Sequence, residues 1–201
     1  MKRKQLRRKM VGRIRRYEND MPSMETYLEK EYLDKDNNAI IRIYAYEGME
    51  WFDKLSTGNQ ATLNQDIYDF IDRKAYYIPI RYPIIIQFEN VELNEEEQHQ
   101  IIRLIKEYYA LILNDKRIDL HFNFITILSL FTLGIILLII YFTMNTAEVG
   151  AIFSEVLSIA ASFALWEAVD FFLLERKSIS KERWNAGQLT ISEIRFIAKE
   201  K

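Results

Sequence analysis

The side chains that invite a chemical reading sit inside apolar sequence. From Val149 to Trp166 the chain is interrupted by a single charge, Glu155, and apolar character resumes at Phe171 to Leu174 after Glu167 and Asp170. At 100° per residue, Glu148, Glu155, Ser162 and Trp166 fall within about 20° of one line down a helix, with Ser158 on one flank and Asp170 on the other. Ser154, Ser158 and Ser162 also recur every fourth residue, the small-residue spacing that lets helices approach closely. A carboxylate facing lipid costs several kcal/mol, so Glu155 is expected to face another helix or water. Copies of this helix facing one another in a symmetric oligomer would gather Glu155 into a ring that favours cations in a water-filled pore, with Leu157, Phe163 or Leu165 as apolar constrictions. A protonated Glu155, hydrogen-bonded in a closed interface, would serve packing alone and conduct nothing. Both readings stand open on the sequence. Glu167 and Asp170 are expected near the membrane boundary, with Glu167 in reach of headgroup water or Arg176.

Other chemistries lack their residues. With no cysteine, thiol catalysis, disulfides and thiolate-bound zinc are excluded. The histidines are His99 and His121; Glu96 and His99 make one Glu-x-x-His, but a di-iron bundle needs a second copy and two further carboxylates. The six glycines are scattered and form no phosphate-cradling loop. Neither an enzyme, a metal site nor a cofactor is expected.

The elements that must carry the acidic face follow from the apolar runs. Phe122 to Thr143 has no charged side chain and, at about 1.5 Å per residue, is long enough to cross a hydrocarbon layer of about 30 Å. Only residues 144–150, MNTAEVG, separate it from the second run, so the two are expected to form an antiparallel transmembrane hairpin, residues 120–175. The turn has no Lys or Arg, whereas Lys116 and Arg117 precede the hairpin and Arg176, Lys177, Lys181 and Arg183 follow it, which places both termini in the cytoplasm. Tyr141 and Trp166 then fall at the two interfaces.

The N-terminal segment, residues 1–19, opens with Lys2, Arg3, Lys4, Arg7, Arg8, Lys9, Arg13, Arg15 and Arg16 and no acid before Glu18, so the rest of the chain carries −11, the difference between a net −2 and this +9. It has no apolar signal core and no cleavage site. As a helix it would place Leu6, Met10, Ile14 and Tyr17 on one face and its cations on the others, suited to an anionic lipid surface at about 1 kcal/mol per basic residue. The same charge suits a nucleotide, an oligonucleotide or another polyanion, and a disordered tail is the third reading.

Residues 20–119 read as a cytoplasmic α+β domain. Residues 39–47 alternate Ile41, Ile43 and Ala45 with Arg42, Tyr44 and Tyr46, a strand pattern. Residues 56–59 mark a turn, and Leu63, Ile67, Phe70 and Ile71 predict an amphipathic helix over 60–74. A second strand is predicted from about Ile84 to Phe88, with Pro79 and Pro83 at its entrance. Asn94 with Glu97 forms a capping box ahead of a long apolar-sided helix that Asn114 to Leu120 separates from the first membrane span. The C-terminal segment, 176–201, is expected to extend the second span, break near Asn185 to Gly187, and end in a strand over 188–197 that is able to join the sheet.

In overall plan the chain resembles membrane effectors of bacterial anti-phage signalling systems, in which a small cytoplasmic sensing domain is joined to a short transmembrane module. The resemblance lies in the layout of the whole chain, with the soluble part ahead of the helices. It implies a channel-like effector in the bacterial inner (plasma) membrane, controlled by a nucleotide or oligonucleotide on the cytoplasmic side with the basic N-terminus as contact. The alternative expectation is a non-conducting membrane scaffold whose α+β domain recruits a soluble protein partner.

Overall fold

The computed structural model describes residues 2–20, 32–56, 58, 61–143 and 150–199. Helix α1 spans Lys2–Asp20. Three strands follow, β1 (Ala39–Tyr44), β2 (Ile84–Val91) and β3 (Glu193–Ala198), with helix α2 (Gln65–Ala75) between the first two. Between β2 and β3 lie α3 (Glu95–Thr143), α4 (Ala151–Asp170), a π-helical turn at Phe171–Glu175, and α5 (Arg176–Thr190).

The strands form a three-stranded sheet in the order β1-β2-β3, parallel at both pairings. The α+β expectation therefore holds only in its mixture of helices and strands. Each parallel pair needs a helical crossover. The first crossover is α2; the second is α3, α4 and α5 together, so the two long apolar helices are inserted into the β2 to β3 connection. The chain is mostly helical, and α3 and the continuous run from α4 to α5 are each long and apolar enough to cross a membrane.

One face of the sheet carries the core. Across the register, Ile41, Ile86 and Ile194 align, as do Ile43, Phe88 and Phe196, and these rows meet Ile67 and Ile71 of α2 and Ile101, Leu104 and Ile105 of α3. Phe196 stacks on Phe88 at 5.3 Å, and Trp51 meets the same ring edge-on at 5.5 Å. Burying each such side chain contributes about 1.5–3 kcal/mol. On the opposite face Arg42, Gln87 and Arg195 align in one polar row beside the buried pair Ile40 and Ile85.

Local signals set the helix starts. Asn64 caps α2 by accepting the Asp66 N–H at 3.1 Å, so α2 begins five residues later than the apolar spacing predicts. The capping box at α3 is complete, with Asn94 Oδ1 accepting the Glu97 N–H at 2.8 Å and Glu97 Oε2 accepting the Asn94 N–H at 2.9 Å. From there α3 runs 49 residues, about 74 Å, without interruption. The polar segment Asn114 to Leu120 is helical, because no Gly or Pro between Glu95 and Leu133 breaks the ladder. Likewise α5 does not stop at Asn185 to Gly187; Ala186 and Leu189 are buried, and Gly187 lies against Leu113 of α3.

Two clasps tie α5 to α3. Lys106 donates from its ammonium to the carbonyls of Thr190 (2.8 Å) and Ser192, satisfying the end of α5 with a cation at the negative pole of its dipole. Lys116 pairs with Glu182 at 2.8 Å and Asp119 at 3.5 Å, and the Glu182 hydrogen bond holds its ammonium above the ordinary lysine value.

Candidate functional site

The two apolar helices pack antiparallel along a seam of small residues. On α4 the buried positions are Ser154, Ala161, Ala164 and Ala168. On α3 the closest approach is at Gly134, where an added Cβ would lie 2.6 Å from Leu165 Cγ and 3.3 Å from the Ala161 carbonyl oxygen. Only glycine fits at that separation. The serine spacing thus points partly inward: Ser154 is buried and Ser158 half-buried against α3, whereas Ser162 is exposed and donates to the Ser158 carbonyl at 2.9 Å.

Because the small residues claim the seam, the acidic line is turned away from it. Glu155, Ile159, Ser162, Trp166 and Asp170 are all exposed, on the side of α4 opposite Ala161, Ala164 and Ala168. Glu167 is half-buried on the flank. Glu148, the first residue of that line in the sequence, lies outside the described residues. Among the described residues no second element covers this face, so Glu155 faces outward from its own hairpin.

The hairpin register also fixes which residues of the two helices share a level. Gly134 lies against Ala161 and Leu165, and Lys116 against Glu182. Both pairs place residues whose numbers add to about 297 at one level. Glu155 is then level with about Phe142, at the turn end of the uncharged run, and Ser162 with about Ile135. Glu167 falls level with about Leu130 and Asp170 with about Ile127. Glu167 therefore sits nearer the middle of the run than its position before Arg176 suggests, since the second helix reaches its basic end only at the level of Phe122.

Two polar side chains are buried in the seam, of which the serine spacing marked Ser154 and nothing in the sequence marked Asn123. The Asn123 amide and the Ser154 hydroxyl are buried without a hydrogen-bond partner among the described residues. Asn123 stands at the level of the π-helical turn, within an apolar run whose hydropathy masks it. Gly134 was equally legible only as one small residue among large ones.

The basic N-terminal residues all belong to one helix. Lys2, Arg3, Lys4, Arg7, Arg8 and Lys9 lie on its first half; Arg13, Arg15 and Arg16 on the second half are exposed, and so are Met10, Ile14 and Tyr17 of its apolar face. A separate cavity of about 870 Å³ opens beside the carboxyl end of β1, where open parallel sheets commonly receive ligands. Its charged lining is Arg42 and Arg73 against Glu50, Asp66, Asp69 and Asp72, an excess of carboxylates that disfavours a phosphate-bearing ligand.

Among the described residues no group of three or more His, Asp or Glu side chains comes together as metal ligands. Comparison with known proteins found no matching family model, no matching curated protein and no matching solved structure, so the functional reading rests on the arrangement of these residues.

Proposed function

We propose that the chain is a two-pass membrane protein that assembles with copies of itself through the outer face of α4 and forms a cation path controlled by the sheet domain. The observation that carries the reading is the direction of Glu155 and Asp170. Both are exposed on a helix face that the chain's own partner helix leaves bare, within or at the end of an apolar span. Lipid against two carboxylates per hairpin costs several kcal/mol, whereas copies of α4 turned toward one another give those groups each other and water. Ser162 lies between the two carboxylates, and Ile159 and Phe163 supply apolar rings suited to closing the path by dewetting.

Control by the domain follows from the connections. The helix leaving β2 and the helix entering β3 are both continuous into the hairpin, so displacement of β3 against β2 moves α5 against α3 and carries into the span. In this reading both termini are cytoplasmic, α1 lies on the anionic inner surface, and the chain acts as a membrane-depolarising effector like those of anti-phage systems. A non-conducting scaffold is the alternative, with the same assembly closed around protonated carboxyls.

Cation flux through the purified protein in liposomes, compared with Glu155→Gln, separates the two. A cation path predicts flux from the parent and reduced flux or selectivity in the variant, because the amide keeps the shape but removes the ring's charge. No flux from the parent refutes the path, and identical flux from the variant refutes Glu155 as part of it.

A further inference from the structure

Where the hairpin meets the sheet domain, α3 and α5 leave a groove of about 680 Å³ between them. Its polar lining comes at helical spacing from both sides: Arg117 and His121 from α3, and Arg176, Ser180 and Arg183 from α5. The acidic residues nearby do not neutralise it. Asp119 and Glu182 are both engaged by Lys116, and among the described residues none of Arg117, Arg176 or Arg183 is paired with a carboxylate. Two of the guanidinium groups rest on aromatic rings instead: Arg176 lies 5.6 Å from the centre of Phe172, and Arg183 lies 4.7 Å from that of Trp184. Such stacking leaves the edges of the planar fork free to donate.

The groove is amphipathic along its length. Its membrane end is closed by Phe122 and Phe124, which are 63% and 53% exposed and begin the uncharged run of α3. Arg117 precedes Phe122 by five residues, about 7.5 Å along the helix. That rise matches the headgroup layer, which occupies roughly 5–7.5 Å on each side of the hydrocarbon. By the hairpin register Arg176 lies level with about His121 and Arg183 with about Asn114, so the three guanidinium groups bracket headgroup height. With exposed aromatic rings at acyl-chain height below them, they fit a molecule that is anionic at one end and apolar at the other.

The geometry points to an anionic phospholipid as the occupant of this groove, its phosphate held by Arg117, Arg176 and Arg183 and its acyl chains laid over Phe122 and Phe124. Arg forks match phosphate oxygens in pairs, and basic pockets beside membrane helices on the cytoplasmic side are suited to acidic headgroups. The inference rests on the two-pass reading and needs neither oligomerisation nor conduction. Binding also has a structural consequence: the lipid headgroup bridges α3 to α5 at the level of the Lys116 to Glu182 clasp.

Native mass spectrometry of the full chain released from detergent micelles tests the site, using phosphatidylglycerol and phosphatidylcholine as probes. The parent should retain phosphatidylglycerol in preference to phosphatidylcholine. Arg117→Gln with Arg183→Gln should weaken phosphatidylglycerol binding by about tenfold or more. Arg103→Gln with Lys177→Gln removes the same charge from exposed sites on the same two helices outside the groove, and should leave binding within about twofold of the parent. Arg117→Lys with Arg183→Lys should retain part of the lost affinity, which a variant that merely misfolds would not do. Equal loss in both Gln variants, or equal retention of the two lipids, overturns the inference. So does displacement of the lipid by millimolar glycerophosphoglycerol, the same headgroup without acyl chains, since that marks a site for soluble anions. Absence of ion flux has no bearing on any of these readings.

Discussion

Replacing Gly134 by alanine probes the hairpin register on which the placement of every acidic group depends. The added Cβ would sit 2.6 Å from Leu165 Cγ and 2.7 Å from its Cδ2, so the leucine must leave its rotamer or the helices must part. Overpacking of this kind costs about 1–3 kcal/mol. Against it stands the gain of about 1 kcal/mol from replacing glycine inside a helix. Gly134→Ala alone should therefore destabilise the hairpin by about 0–2 kcal/mol. With Leu165→Ala already in place the obstacle is gone, and Gly134→Ala should be neutral or stabilising by up to about 1 kcal/mol. The difference between the two backgrounds, a coupling of about 1–3 kcal/mol, is the measured quantity. Unfolding in mixed micelles with increasing sodium dodecyl sulfate, followed by the fluorescence of Trp166 in a background carrying Trp51→Phe and Trp184→Phe, provides it. A coupling below about 0.5 kcal/mol would mean that residues 134 and 165 do not meet, and the depths assigned to Glu155, Glu167 and Asp170 would fall with it.

Three further outcomes are expected. Asn94→Ala removes one half of the capping box of α3 and should cost about 1 kcal/mol of thermal stability in the sheet domain, with no change in the membrane span. Burial raises the Asp72 carboxyl above its ordinary value of 3.8, more than the Tyr109 hydroxyl at 3.0 Å lowers it, so the folded state keeps the proton to higher pH than the unfolded one. Asp72 therefore subtracts stability as pH rises past 3.8. Asp72→Asn, which keeps an acceptor for Tyr109, should match the parent in acid and exceed it at pH 7. Asp72 is partly exposed, so the gap is small, and a gap independent of pH refutes the burial argument. Deleting residues 2–16 should weaken sedimentation with anionic vesicles, and the part lost should be the salt-sensitive part; salt-independent loss removes the electrostatic role of Arg13, Arg15 and Arg16.

What the sequence revealed is what local chemistry controls. The uncharged run from Phe122 to Thr143, the Asn94 and Glu97 cap, and the alternation of Ile41 and Ile43 with Arg42 each act over a few residues, and each is visible without the rest of the chain. Strand direction has no such local mark. Nothing in the residues of β2 states that both neighbours run parallel to it, because that depends on α2 and the hairpin each reversing the chain in space. The polar residues from Asn114 to Leu120 suggested a linker, yet polarity does not end a helix when no Gly, Pro or competing cap is present. The pairing of levels between the two helices was hidden for a related reason. Along the sequence Glu167 stands close to Arg176, but a hairpin partner, not charge spacing, decides where each residue lies across the span. The split of the serine line into an inward Ser154 and an outward Ser162 likewise needs the identity of the neighbour, Gly134.

The central claim is that the outer face of α4 meets copies of itself, and the absence of cysteine from the chain makes it directly measurable. Single cysteines are placed at Ser162 on that face, at Ser154 in the seam, and at Phe131 on the exposed side of α3, and each variant is oxidised in native membranes. Disulfides form only when two Cα atoms come within about 7 Å, so covalent dimers report close approach of identical positions. Assembly through α4 predicts dimers from Ser162→Cys and none from Ser154→Cys or Phe131→Cys. Dimers from Phe131→Cys without any from Ser162→Cys would place the contact on α3 and contradict the claim.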